Sequence, residues 1–131
     1  MVDHEVQLEV TYNGLTVTTD ADNLVLDPTN LAAGGVLVDA KFSNTYDLST
    51  VSPGTLRSKL TQNQRTVWDW IRNAQTTNNC ANLTIVPKGP NATLLLGQAL
   101  VNLPLPTQFI VNLTLELHVS DGQNGIVTKT Y

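Results

Sequence analysis

The sequence predicts an α+β domain made mainly of antiparallel strands: a sheet or β-sandwich with an N-terminal hairpin and one amphipathic helix, about 53–75, packed on it. Three stretches predict it. In Phe109–Val119 the odd positions Phe109, Val111, Leu113, Leu115, Leu117 and Val119 are apolar, and the positions between are polar apart from Ile110. A period of two marks a strand with one buried face, so this stretch reads as one long central strand. Glu5–Tyr12 alternates in the same way, with Val6, Leu8, Val10 and Tyr12 on one side. Between Thr61 and Ala74, Val67, Trp70, Ile71 and Ala74 fall on one helical face, opposite Arg65, Asp69 and Arg72.

Taken in order, Asn13-Gly14 joins Glu5–Tyr12 to Leu15–Thr19. Asn-Gly between alternating segments marks a two-residue hairpin, because both turn residues must reach positive φ. That turn pairs Tyr12 with Leu15 and Val10 with Val17. Leu24–Leu26 reads as a short strand stopped by Asp27-Pro28, and Gly34-Gly35 releases a third strand, Val36–Phe42, with Val36, Val38, Ala40 and Phe42 facing inward. Ser52-Pro53 opens the helix with an N-cap and a first-position proline. Thr61 and Gln64 then form a second capping box, so the segment divides into a short helix and a longer one. Trp68 sits at the border of the apolar face, as a core-edge residue or as an anchor for a partner. Ala81–Val86 returns as a strand with Leu83 and Ile85 inward. Thr93–Val101 reads as a buried strand, Pro104 and Pro106 mark a bend, Asp121–Gly125 is a hairpin loop, and Ile126–Tyr131 pairs back as a short final strand.

The chain has 131 residues, enough for one self-sufficient core, and residues 1–131 are expected to form a single domain. Charged residues are 14% of it, against roughly 25% in an average soluble domain, with Asn and Thr in their place. Two explanations compete: surfaces that face partners, or exposed strand positions that simply favour Thr. Residues 1–50 hold eight acids against Lys41 alone, whereas residues 51–131 hold six bases against Asp69, Glu116 and Asp121. Such a division can orient contacts between copies, or it can be neutralised internally, with the helix lying against the acidic strands.

The candidate chemistry is thin. Glu116 and His118 share a strand face and are the best acid–base pair the chain offers, against the plainer reading of a solvated polar face. Asp20, Asp22, Asn23 and Asp27 form an oxygen-rich loop, but its spacing is not that of a calcium loop and turn chemistry accounts for it. The single Cys80 gives no disulfide framework and reads as an incidental thiol. The three Asn-x-Thr sequons at Asn82, Asn91 and Asn112 are expected by chance in so Asn- and Thr-rich a chain. No metal, cofactor or catalytic residue is therefore assigned. An acidic chain without basic–aromatic interleaving points away from nucleic acid. Without a signal-like segment or a long apolar run, a membrane partner is not expected, and the virion or the cytoplasm is the expected location.

What remains is a non-enzymatic, self-assembling structural protein, a homo-oligomer pairing through Glu5–Tyr12 or Ile126–Tyr131. The element order parallels the one-helix β-sandwiches and barrels of phage tails and decorated capsids. That points to a bacteriophage coat, tail or decoration subunit with other virion proteins as partners, an analogy of architecture without a shared motif. The alternative is a monomeric binding module for a carbohydrate or protein ligand, carried by a pocket lined by Trp68 or Tyr46. A small enzyme on Glu116 and His118 stands third.

Overall fold

A computed structural model describes residues 5–27, 29–42, 52–89, 91–92, 104–120 and 126–131. Strands β1 (Val6–Tyr12) and β2 (Leu15–Ala21) form the expected hairpin, with Tyr12 opposite Leu15 and Val10 opposite Val17. Asn13 and Gly14 take φ of 50° and 86°, the left-handed pair that such a turn requires. The short β3 (Asn23–Leu26) and β4 (Gly35–Phe42) follow, then α1 (Pro53–Arg57) and α2 (Gln62–Thr76). Strand β5 (Leu83–Lys88), the helical turn α3 (Thr107–Val111), β6 (Leu113–Ser120) and β7 (Ile126–Thr130) complete the described elements.

The strands divide into two sheets, one ordered β2-β1-β5 and the other β3-β4-β6-β7. All pairings are antiparallel except β4 with β6, which run parallel. The architecture is therefore α+β, with two packed sheets and one main helix. A single apolar cluster joins Val6, Leu8, Val10 and Ile85 of the first sheet to Leu37 and Leu113–Val119 of the second, through Val67, Trp68, Ile71 and Ala74 of α2. Burying each such large side chain stabilises the fold by roughly 1.5–3 kcal/mol.

Helix α2 begins where the capping box places it. The Gln64 amide N–H donates to Thr61 Oγ1 at 3.2 Å, and the Thr61 N–H donates to Gln64 Oε1 at 3.0 Å. Its buried stripe is Gln64, Val67, Trp68, Ile71 and Ala74. Trp68 is thus core, at 1% exposure, and Trp70 is the border residue, which inverts the expected roles of the two tryptophans.

Two further expectations are corrected. The stretch Phe109–Val119 is not one strand: Pro106 caps the helical turn α3, and β6 starts only at Leu113. A proline fixed at φ −60° with Thr107 next to it suits a helix start, and Asn112 closes the turn with its side-chain N–H on the Ala32 carbonyl at 2.9 Å. In β4 the inward set is Leu37 and Asp39 rather than Val36, Val38, Ala40 and Phe42. The four named residues lie on the outward face, where Val38 alone is buried and Phe42 is 70% exposed. One residue of phase exchanges the two faces of a strand completely. The expected strand at Thr93–Val101 and the loop at Asp121–Gly125 fall outside the described residues.

Candidate functional site

The tip of the β1–β2 hairpin stands beside α2. Between them lies an open groove of about 770 Å³, walled by Tyr12, Asn13 and Leu15 from the hairpin and by Asp69, Trp70, Arg72, Asn73 and Thr76 from the helix. Tyr12 and Trp70 rings meet at 6.0 Å with their planes at 47°, and Leu15 is 65% exposed. Asn73 Nδ2 donates to the Tyr12 hydroxyl at 2.9 Å, and Asn79 Nδ2 donates to it at 3.3 Å. The expected pocket residues are not the ones used: Trp68 is in the core, and Tyr46 lies outside the described residues.

On the far side of Asp69 a smaller recess of about 320 Å³ is lined by Gly54, Arg57, Asp69, Arg72 and Tyr131. Arg57 binds the Asp69 carboxylate through two nitrogens, and the Tyr131 hydroxyl donates to the same carboxylate. Burial alone pushes the Asp69 pKa up, but the hydrogen bonds from Arg57 and Tyr131, with the charge of Arg57, outweigh it and leave it below its ordinary value. Desolvation, together with the bond to Asp69, pushes the Tyr131 phenol up to about 12.

A third cluster is buried beneath the first turn of α2. Asp39, 2% exposed, accepts from Gln64 Nε2 at 3.1 Å, and Lys41 Nζ stands 3.0 Å from its other oxygen without hydrogen-bond alignment. Desolvation first, and then the neighbouring Asp22, raise its pKa to about 6 against the pull of Lys41. Gln64 Nε2 also donates to the Asp20 carbonyl at 3.2 Å, so one side chain caps the helix and holds both sheets.

The acid–base pair does come together: His118 Nε2 lies 3.1 Å from Glu116 Oε1. Both residues stand on the outward face of the four-stranded sheet, next to Val38, Ala40, Thr128 and Thr130, with side chains 33% and 28% exposed. Acid–base catalysis needs a pocket that presses a substrate against the pair, and the two grooves described above are lined by neither residue. In the acidic loop, Asp22 accepts from the Ala40 N–H at 2.6 Å, and Asp27 accepts from Thr29 N–H at 2.9 Å and from its hydroxyl at 2.7 Å. Those hydrogen bonds from Thr29, side chain first, lower the Asp27 pKa. The Asp27 bonds are turn contacts and the Asp22 bond ties the loop to β4, and among the described residues no three His, Cys, Asp or Glu side chains gather as a metal site. Cys80 is buried, and burial raises its thiol pKa.

The same outward sheet face carries a row Phe42–Ser120–Ile126 at one end and Val25–Val36 at the other. Phe42, Ile126 and Val25 are 70%, 67% and 51% exposed. Among the described residues no strand pairs with the outer edge of β7. Tyr131 N–H donates to the Leu115 carbonyl at 2.9 Å, which sets the ladder: Val127 and Lys129 turn their backbone groups to β6, while Ile126, Thr128 and Thr130 turn theirs away. The three-stranded sheet differs. Asn63 and Gln64 side chains cover the outer edge of β2 through the Thr18 and Asp20 carbonyls, and Leu105 N–H takes the Ile85 carbonyl of β5. Comparison of the chain with protein-family models, with curated proteins and with solved structures finds no match in any of the three.

Proposed function

We propose that this chain is a self-associating structural subunit that pairs copies through the open edge of β7. The class of building block proposed is a virion coat, tail or decoration protein. The observation that carries the reading is the contrast between the sheets: α2 and Leu105 cover the edges of one, while β7 turns the backbone groups of Ile126, Thr128 and Thr130 outward. An uncovered edge of β-branched residues is a template for another strand. An antiparallel β7–β7 pair centred on Thr128 would set Ile126 against the partner's Thr130 and add the outward apolar rows of two copies together. The alternative strand, Glu5–Tyr12, is unavailable, because β1 lies between β2 and β5.

Thr128→Pro tests this. Proline deletes an N–H that points away from β6, so the internal ladder survives and only the outer edge is blocked. Light scattering and negative-stain images should show rings, tubes or shells for the natural chain and a folded monomer for Thr128→Pro. A natural chain that remains at 14.2 kDa at high concentration, or a proline variant that still assembles, removes the reading.

A further inference from the structure

The groove beside the hairpin tip is a separate feature from the β7 edge, and its chemistry is specific enough to name a ligand. We propose that it binds an acidic sugar, a pyranose ring lying on Trp70 with its carboxylate held by Arg72.

Size comes first. A groove of about 770 Å³ lies within the roughly 300–1,000 Å³ typical of small-molecule sites. Its walls are mixed. The half-buried Trp70 ring and the exposed Leu15 supply an apolar surface for the C–H face of a sugar ring, and the buried Tyr12 ring backs Trp70 at 6.0 Å. Hydroxyl partners stand beside it. Asn73 commits Nδ2 to the Tyr12 hydroxyl, which fixes its amide and leaves Oδ1 to accept. The buried Tyr12 hydroxyl accepts from both Asn73 and Asn79 and so holds the Asn73 amide in place.

Charge then selects among sugars. Asp69 is the one carboxylate on the groove wall, and Arg57 and Tyr131 already neutralise it from the other side. Arg72 donates to a neutral partner, Gln75 Oε1 at 3.1 Å, and keeps further N–H groups of its guanidinium fork. In a chain of net charge −4 the groove is thus a local cationic site. A guanidinium with spare donors matches a carboxylate with two parallel hydrogen bonds. A small free anion would use Arg72 and leave the aromatic wall idle, and a neutral sugar would use the wall and leave Arg72 idle. An acidic pyranose uses both, and its hydroxyls also use Asn73 Oδ1.

Tryptophan fluorescence reads the test directly, because Trp68 is 1% exposed and Trp70 is the tryptophan on the groove. The full chain is titrated with an oligogalacturonate, with the matching neutral galactan, and with acetate. The acidic oligomer should give a saturable emission change and shield Trp70 from iodide, at least about tenfold more tightly than the galactan, with no change from acetate. Arg72 is an exposed residue, so Arg72→Gln should melt like the natural chain and lose the preference for the acid, leaving the two sugars within about twofold. No saturable change with the acidic oligomer, an equal response to acetate, or an undiminished preference in Arg72→Gln overturns the proposal. Light scattering on the same samples reports assembly independently, so failure of one reading is distinguishable from failure of the other.

Discussion

At the scale of single residues the protein depends on Gln64 and on the acid beneath it. Gln64 completes the capping box with Thr61, donates to Asp39 and to the Asp20 carbonyl, and lies 3.4 Å from Lys41 Nζ. Replacing it with Ala keeps the backbone N–H bond to Thr61 Oγ1 but removes every side-chain contact and leaves Asp39 with a misaligned lysine in place of two partners. A loss of about 2–4 kcal/mol in urea unfolding is expected, since the lost half of the capping box and a buried unsatisfied carboxyl add. Asp39 itself predicts a pH dependence of unusual sign. Its pKa is about 6 in the fold against an ordinary 3.8, so the folded state holds the proton more tightly than the unfolded chain. The favourable contribution is complete below about 3.8 and is lost as pH rises to about 6, a change on the order of 2–3 kcal/mol. Asp39→Asn should therefore gain stability over the natural chain between pH 4 and pH 7, with Asp22 and Lys41 as the charges that tune the midpoint. Comparing the two chains at each pH cancels Asp27 and Asp69, whose lowered values work in the opposite direction.

At the scale of elements, the parts legible in the sequence are those whose signal is local. Asn13-Gly14 needs only its own dihedral angles, Thr61 and Gln64 are one turn apart, and β7 lies where expected, while β5 starts two residues later than expected, at Leu83, and runs on through Pro87 to Lys88. The misreadings come from tertiary context. Strand β4 carries its more apolar parity outward, and Asp39 is tolerated inside only because Gln64, some 25 residues later, arrives to bind it. The stripe of α2 runs through Gln64, a polar residue at a core position, and that shift of phase takes Trp68 inward and leaves Trp70 for the groove. The groove was illegible for the same reason: its hairpin and helix walls are far apart in the chain. The one audible hint of α3 was Ile110, the residue that broke the alternation. That turn brings Asn112 against Gly34, where an added Cβ would lie 2.4 Å from both the Cβ and the carbonyl oxygen of Asn112. Gly34→Ala should cost about 2–4 kcal/mol through strain at φ 80° plus this clash. Gly14→Ala, at φ 86° with nothing within 4 Å, should cost only about 1 kcal/mol, so the difference in urea midpoints isolates the crowding.

At the scale of the whole molecule, the unusual composition finds an internal use. Asn63, Gln64 and Asn73 of α2 bind Thr18, Asp20 and Tyr12 of the three-stranded sheet. Gln75 Nε2 donates to the Ile110 carbonyl at 2.9 Å and to the Leu113 carbonyl at 2.7 Å, at the entry to the other sheet, and Trp68 packs edge-on to Tyr131 at 5.2 Å. Amides that could have faced partners are thus spent stitching one helix to two sheets. Part of the charge division closes internally as well, since Glu9 of the acidic half meets Lys88 of the basic half at 3.2 Å. A shared helix and a shared core mean that neither sheet has a complete buried face of its own, so the sheets should unfold together. Far-UV circular dichroism and tryptophan fluorescence should give coincident urea transitions at a concentration low enough to keep the chain monomeric. Gln75→Ala makes the sharper test, because it cuts the stitch at one sheet and leaves those at the other intact. If the chain is one cooperative unit, the variant lowers the whole transition by about 1–3 kcal/mol and both probes still move together. If the four-stranded sheet is a unit of its own, fluorescence and circular dichroism separate, and residues 1–131 are two units held by a helix rather than one domain.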